Sequence, residues 1–305
     1  MRRLLIGIVA ALVLFSCGQS YEETKRQTKA QRIKLAREDS AALKVAVLPT
    51  LDCLPVFLAK DHNMFDTLVD IRLKQFTAQM DVDTALMNKR VEIGVTDLVR
   101  AERMKQQGDS LLYLTATNAY WQLVTNRGAR IMDLKHLDDK MLAMTRYSVT
   151  DLLGDMVVDS AKVKPERVFR IQINDVHVRL KMLENNEMDA LLLTEPQAAQ
   201  ARMLKHRVIF DSRKQDIQMG AFVVRGKGMD DKNRQKQLKA FREGYNRACD
   251  SLNHYGIGQY RELVKKYCKV KDAAIDTLPK DLKFNHIVPP REQDINMAKK
   301  WLGKK

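Results

Sequence analysis

Cysteine is scarce in this sequence, and its four cysteines lie far apart. There is no CxxC pair and no Cys/His spacing of a zinc site, and the six histidines are scattered. We therefore predict that the protein has no metal site and uses no cofactor. Cys249 and Cys268 lie in consecutive predicted helices and could form a disulfide in an oxidising compartment, a point that the sequence leaves open.

The motifs of common enzyme classes are also missing. A Gly-rich phosphate loop, a GxSxG segment and an HExxH segment are all absent from the sequence. The net charge is +15, yet the basic residues are mixed with acidic ones, and no basic run is interleaved with aromatic residues. The composition therefore indicates a solvated basic surface and no nucleic-acid partner.

No apolar run is long enough to span a membrane. The run from Leu4 to Phe15 has 12 residues, whereas a membrane-spanning helix needs roughly 20. Its length, with Arg2 and Arg3 before it, is typical of the apolar part of a secretory signal. We predict a signal peptide over residues 1–16 and a polar tether over residues 17–42.

The residues after the tether alternate between strand and helix patterns. The strand patterns cover 43–49, 69–76, 91–97 and 111–118, and then 139–147, 166–175 and 188–195. Helical spacing lies between them, which predicts two parallel α/β units. Extended stretches at 118–128 and 217–228 join the two units, and the chain ends in predicted helices at 233–254, 257–269 and 291–303.

The end of the signal carries a recognisable motif. Leu14-Phe15-Ser16-Cys17 resembles the lipobox of bacterial lipoproteins, in which the peptidase cuts before the cysteine and the cysteine is acylated. The resemblance implies that Cys17 becomes the lipidated first residue of the mature protein. The alternative is an ordinary cleaved signal with an incidental cysteine.

Three further segments carry a family resemblance. They are "VLPTLDCLPVFLAKDHNMF" (47–65), "TALMNKRVEIGVTD" (84–97) and "MDALLLTEPQAAQA" (188–201). Together with the two units and their crossovers, they resemble the type II periplasmic solute-binding proteins of ABC importers, of the nitrate, sulfonate, taurine and thiamine-precursor (NMT1/THI5-like) family. Asn63, Lys89-Arg90 and Glu92 depart from the family pattern at caps and turns, so a particular ligand does not carry over.

The resemblance implies a two-lobe, periplasmic-binding-protein-like α/β fold. Residues 43–122 and 219–305 would form lobe 1, and residues 123–218 would form lobe 2. Such a monomer would sit in the bacterial envelope, anchored to the membrane by the lipid on Cys17 and facing the periplasm. It would capture a small-molecule ligand between its lobes and deliver it to an ABC permease and its ATPase, and it would not be an enzyme.

Candidate site residues follow from the strand pattern, because ligands of open α/β sheets bind beyond the carboxyl ends of the strands. The predicted ligand-binding residues are Thr50, Asp52, Cys53, Thr77, Gln79, Thr96, Asp97, Asn118, Tyr120, Trp121, Tyr147, Ser148, Thr150 and Glu195. Thr77, Ser148, Asp52 and Glu195 have an alternative role as helix caps. The alternative role of Tyr120 and Trp121 is to pack at the hinge, and that of Cys53 is to be a core residue.

The candidate residues fit two ligand classes. Asp52, Asp97 and Glu195, with the rings of Tyr120 and Trp121, suit an aminopyrimidine. Helix N-termini with Arg100 or Arg146 suit a sulfonate, nitrate or carboxylate instead. Two rival functions remain: an envelope ligand sensor, and an enzyme of pyrimidine or menaquinone type on the same fold, although the lipobox argues against a cytoplasmic enzyme.

Overall fold

The computed structural model describes residues 21–305, except for the side chain of Glu22. The predicted signal peptide and Cys17 lie outside these residues. Of the described chain, residues 21–42 belong to one compact unit and residues 43–305 to another. The tether segment holds a single helix, α1 (Tyr21–Ala41), of 21 residues. Within residues 21–305, no helix is both long enough and apolar enough to cross a membrane.

The larger unit contains two five-stranded sheets with the same strand arrangement. The first sheet has the order β2-β1-β3-β10-β4 and the second has the order β7-β6-β8-β5-β9. The strands of the first sheet are β1 (Leu43–Val47), β2 (Ile71–Gln75), β3 (Ile93–Asp97), β4 (Leu111–Ala116) and β10 (Gly220–Arg225). Those of the second sheet are β5 (Gln122–Thr125), β6 (Lys140–Met144), β7 (Val168–Gln172), β8 (Ala190–Leu193) and β9 (Arg207–Asp211).

The strands of the alternating pattern are parallel as predicted, and each sheet also contains one antiparallel strand. In the first sheet β10 runs antiparallel to β3 and β4, and in the second β5 runs antiparallel to β8 and β9. These two strands are the predicted extended crossovers. Each crossover enters its sheet from the other half of the molecule, at the edge where the parallel strands end. It must therefore run away from that edge, opposite to its neighbours.

Helices cover the faces of both sheets. They are α2 (Leu54–Asp61), α3 (Gln79–Met87), α4 (Leu98–Gln106), α5 (Val149–Ala161), α6 (Val176–Glu184), α7 (Gln197–Met203), α8 (Lys232–Tyr255), α9 (Arg261–Cys268), α10 (Asp272–Ile275) and α11 (Glu292–Leu302). The largest buried cluster lies where α2 and α8 pack together over the first sheet, around Phe57, Phe222 and Phe241. Burial of such side chains contributes about 2–3 kcal/mol each to folding.

The predicted helix starts are partly confirmed. The Ser148 hydroxyl caps α5 by accepting from the N–H of Thr150 at 3.1 Å. The cap predicted at Thr77 is wrong, because Ala78 is the N-cap residue of α3 and that helix begins at Gln79. Pro196 precedes the first turn of α7 after a cis peptide bond.

The structure shows whether the cysteines of the described residues form a disulfide. Cys53, Cys249 and Cys268 are buried free thiols, so no disulfide joins Cys249 to Cys268 in residues 21–305. Burial raises the pKa of the Cys249 thiol to about 12, which keeps this sulfur protonated and unreactive at neutral pH.

Candidate functional site

A small cavity lies between the two sheets, at the edge where their parallel strands end. Its volume is about 60 Å³, several times the roughly 10–15 Å³ that one water molecule needs by the same kind of measure. One side is formed by residues at the ends of β1, β2 and β3, and the other by residues at the ends of β6, β7 and β8. The site therefore lies where the strand-end rule places it.

Half of the predicted ligand-binding residues lie on this cavity. Those that line it are Thr50, Asp52, Thr77, Gln79, Thr96, Trp121 and Thr150. They come from five different loops or helix starts, which the two sheets bring together. Whether they contact a ligand stays a prediction.

Four of the remaining candidates are outside the lining, where they make local contacts. Ser148 caps α5, and Asp97 caps α4 by accepting from the N–H of Arg100 at 3.0 Å. The Tyr147 ring lies 4.1 Å from the guanidinium of Arg103. Asn118 donates from its amide to the carbonyl of Lys283 at 3.0 Å.

Three candidates, Cys53, Tyr120 and Glu195, are buried but are also outside the lining. The Tyr120 hydroxyl donates to Glu195 Oε1 at 2.6 Å, and the same oxygen accepts from Arg202 Nη1 at 2.6 Å. The other oxygen, Oε2, accepts from the N–H of Ala199 at 2.8 Å. Both carboxylate oxygens of Glu195 are therefore occupied within the protein. Burial and the Glu195 charge raise the pKa of Tyr120, so its hydroxyl stays a donor.

Sequence reasoning missed Arg179, a residue of the second half that lines the cavity. Its side chain is 7% exposed. It donates from Nε to the carbonyl of Ile173 at 2.6 Å, from Nη1 to the carbonyl of Leu192 at 3.0 Å, and from Nη2 to the hydroxyl of Thr145. These three bonds hold the guanidinium in place on the cavity wall.

Arg179 is a buried cation whose hydrogen bonds go to two backbone carbonyls and a hydroxyl. Among residues 21–305, no carboxylate forms an ion pair with it, and burial lowers its pKa to about 10, so it remains charged at neutral pH. Burying an unpaired charge is costly, which makes such a residue a candidate for binding an anionic ligand. The sequence does contain a signal for this residue. Arg179 lies beside Leu180 and one turn before Leu183, so helical spacing places it on the buried face of α6.

Asp52 faces the same cavity from the first half. It is 6% exposed and accepts from the hydroxyl of Thr117 at 3.1 Å. No cation forms an ion pair with it in the described part of the chain, and burial raises its pKa. The cavity wall thus carries a buried guanidinium and a buried carboxyl group. Neither forms an ion pair with another side chain of residues 21–305.

The two arginines considered from the sequence are placed elsewhere. Arg100 is buried and forms an ion pair with Asp83, away from the cavity lining. Arg146 is exposed. Arg179 is therefore the arginine on the cavity wall.

The two halves touch directly on both sides of the cavity. Ala78 pairs with Asp175 in an isolated antiparallel bridge, and the N–H of Val176 donates to the carbonyl of Thr77 at 3.3 Å. On the other side, the N–H of Leu51 donates to the carbonyl of Glu195 at 2.8 Å. These backbone contacts join the two halves beside the cavity.

Comparison with solved structures identifies the architecture. The ligand-binding component of an ABC-type import system from Staphylococcus aureus, with zinc bound, superposes with a TM-score of 0.73 at 17% identity, covering 87% of this chain and 92% of that one. The alkanesulfonate-binding protein of Xanthomonas axonopodis, bound to MOPS, superposes with a TM-score of 0.72 at 14% identity, covering 87% of this chain and 92% of that one. The periplasmic nitrate-binding protein of Synechocystis superposes with a TM-score of 0.68 at 12% identity, covering 84% of this chain and 74% of that one.

This is the periplasmic-binding-protein-like fold. The structures superpose over most of each chain, and this chain has two mixed sheets covered by helices, which confirms the predicted fold class. At these identities the likeness concerns the fold alone. No family model matches the sequence, and no curated protein matches it.

The periplasmic-binding-protein-like fold of this chain carries no recognisable metal centre in its described part. The Staphylococcus aureus structure has zinc bound. Residues 21–305 contain no group of three or more His, Cys, Asp or Glu side chains placed to hold a metal ion.

Proposed function

We propose that the protein is the solute-binding component of an ABC importer, anchored to a bacterial envelope membrane by a lipid on Cys17. It captures a small solute between its two lobes and delivers it to a membrane permease driven by an ATPase. Three features support this: the fold, the cavity lined by residues of both sheets, and the import proteins among the structures of similar fold. The lobe boundaries proposed are 43–122 with 219–305, and 123–218.

The observation that carries the ligand class is Arg179. The Arg179 guanidinium is 7% exposed, lines the cavity and forms no direct ion pair among residues 21–305, although it is attracted by the charge of Asp175. An anionic group in the cavity would stabilise this buried charge further. The planar donor set of Arg179 suits a planar or tetrahedral oxyanion, such as a nitrate, carboxylate or sulfonate group. We therefore place the anionic group of the solute at Arg179.

The aminopyrimidine alternative has less support in this cavity. It depended on three acidic residues, and two of them, Asp97 and Glu195, lie outside the lining. Asp52 remains, and it can accept a hydrogen bond from a donor group of the solute. The Trp121 ring, 9% exposed, offers an apolar surface for the carbon part of a sulfonate or carboxylate.

The test is thermal unfolding of the purified protein with candidate solutes. Nitrate, ethanesulfonate, acetate and an aminopyrimidine would each be titrated. A solute at 100 times its dissociation constant stabilises the folded state by about 2.7 kcal/mol. We expect at least one of the three anions to raise the unfolding temperature.

Variants locate the bound solute. Arg179→Lys keeps the charge but loses the planar fork, so we expect the affinity for the anion to fall at least tenfold, by about 1.4 kcal/mol or more. Arg146→Gln is the matched control, because it removes an exposed arginine outside the lining and should leave affinity unchanged. Stabilisation by the aminopyrimidine alone would contradict the anion assignment. No stabilisation by any solute would contradict solute capture.

The rival functions give different outcomes in a second experiment. Reconstitution with a permease and ATPase should show ATP hydrolysis that rises when the solute-loaded protein is added. A sensor would bind the solute without stimulating hydrolysis. An enzyme would return a chemically altered solute, whereas a binding protein should release it unchanged.

A further inference from the structure

The helix of the tether has an unusual distribution of charge. Its 14 central residues, Thr24 to Arg37, include six basic residues and no acidic one. The four acidic residues of the helix, Glu22, Glu23, Glu38 and Asp39, are all at its two ends. A spacer that only needs to be soluble has no reason to separate its charges in this way.

The basic residues also share one side of α1. At 3.6 residues per turn, five of the six fall within an arc of about 140°. These five are Lys25, Arg26, Lys29, Arg32 and Arg37. Ile33 lies inside the arc, as does Glu22 in the first turn, and Tyr21 and Asp39 lie about 20° beyond its edge. Lys34 and Leu35 lie outside it. We call the arc the basic face of α1.

The basic face has no carboxylate partner among residues 21–305, and the one ring contact found there places Lys25 Nζ 5.8 Å from the centroid of the Tyr21 ring in the same helix. All five cations are exposed, and none forms an ion pair with a carboxylate among residues 21–305. Tyr21 and Ile33 are 77% and 45% exposed. Five exposed cations on one face, none paired with a carboxylate among residues 21–305, have the charge pattern of basic segments that are attracted to anionic lipid headgroups.

The position of the helix in the chain points to the same partner. Tyr21 follows Cys17, the proposed site of acylation, by four residues. A lipid on Cys17 would hold the start of α1 within about 15 Å of the bilayer, since an extended chain spans at most ~3.6 Å per residue. Attraction between exposed cations and an anionic surface acts over a similar distance, with a screening length of about 8 Å at physiological ionic strength.

We propose that α1 lies flat on the membrane, with its basic face on anionic phospholipid headgroups. The tether is then a second, electrostatic attachment beside the acyl chains, and not an upright spacer. This inference rests on the anchor of the proposed function and is independent of the solute. A flat helix keeps the folded part close to the membrane, where a permease would lie.

The experiment uses the acylated protein reconstituted into vesicles. Ile33→Cys and Leu35→Cys each receive a polarity-sensitive fluorophore; the two positions are similarly exposed but only Ile33 is on the basic face. The native cysteines of the folded part are buried, so labelling is selective. In vesicles with about one third phosphatidylglycerol, we expect quenching by aqueous iodide to fall about threefold at position 33 only, and to recover in about 0.5 M salt.

Two controls make the result specific. In pure phosphatidylcholine vesicles, both positions should remain equally open to iodide. Combining Lys25→Gln, Lys29→Gln and Arg32→Gln should abolish the protection, whereas Lys214→Gln, Lys227→Gln and Lys280→Gln, three exposed lysines elsewhere, should preserve it. Equal quenching at both positions in anionic vesicles overturns the inference, as does protection that requires another envelope protein. Solute binding, measured on the same preparations, reports separately on the proposed function.

Discussion

Asp97 shows how a single buried carboxyl group affects this protein. It is fully buried, and its Oδ1 accepts from the N–H of Arg100 at 3.0 Å. Burial is the main cause that raises its pKa to about 6, and the nearby Asp83 adds to the increase, although Arg100 opposes it. The folded protein therefore binds a proton at this residue more tightly than the unfolded chain, whose aspartates have a pKa of about 3.9.

Protonation of Asp97 should therefore stabilise the fold. A raised pKa means that the free energy of unfolding increases as pH falls from about 7 towards 4.5, by roughly 1–2 kcal/mol from this group. Asn caps helices as well as Asp does, so Asp97→Asn should keep the cap and flatten this part of the profile. The measurement is urea unfolding at several pH values. Identical profiles for the two proteins would contradict the assignment.

Glu195 and Arg179 show why residue type alone did not identify the site. Both are buried and lie near the ends of strands at the cleft. Glu195 follows β8, and Arg179 lies in α6, the helix that follows β7. Glu195 has its two oxygens occupied by Tyr120, Arg202 and the backbone of α7. Arg179 lines the cavity and forms no direct ion pair in the described residues, so the contacts of each side chain, and not its residue type, make Arg179 the better candidate for a ligand.

At the scale of elements, α11 connects the two halves. It packs against α4, which follows the first sheet's β3, and against α5, which follows the second sheet's β6. Leu98, Leu152 and Ala298, one from each helix, belong to the same buried apolar cluster. Trp301 donates from Nε1 to Asp155 Oδ2 at 2.7 Å, which ties the end of α11 to α5.

Removing that hydrogen bond should have a limited cost. Trp301→Phe keeps most of the ring packing, and Asp155 retains its ion pairs with Lys305 and Arg170. We expect the free energy of unfolding to fall by about 1 kcal/mol, measured by urea denaturation. Tyr255→Phe, at a ring that is 63% exposed, is the control and should change little. A loss above roughly 3 kcal/mol would mean that packing, and not the hydrogen bond, dominates.

At the scale of the whole molecule, the proposed capture of a solute would require the two halves to separate at the contacts beside the cavity. The bridge between Ala78 and Asp175 crosses the cleft beside the cavity. Cα atoms of paired antiparallel residues lie about 4.5–5.5 Å apart, a distance that a disulfide can span. A cross-link at this pair would hold the cleft in its closed form.

We expect the oxidised double variant Ala78→Cys with Asp175→Cys to bind added anion at least about 100-fold more slowly than the reduced form, because closure blocks entry. Nitrate and ethanesulfonate are the probes, followed by stopped-flow Trp121 fluorescence. Each single variant, treated with the same oxidant, should bind as the unmodified protein does; Asp175→Cys also controls for the lost cap of α6. Unchanged binding after cross-linking would show that solute enters by another route.

The sequence by itself determined the succession of elements and the edge at which the cavity forms. Periods of two and of 3.6 residues are local properties, so most strands and helices, and the cap at Ser148, could be predicted from neighbouring residues. The strand-end rule then selected Thr50, Asp52 and Thr96, because parallel strands of one sheet end at a common edge.

Only the tertiary structure decided strand direction at the crossovers and the roles of the charged residues. The directions of β5 and β10 depend on how the two sheets are joined. The local spacing of apolar residues contains no information about this. Asp52 and Arg179 are 127 positions apart in the sequence yet line one cavity. A charge becomes available for a ligand when its surroundings bury it without a counter-ion, and that is a property of packing between distant segments.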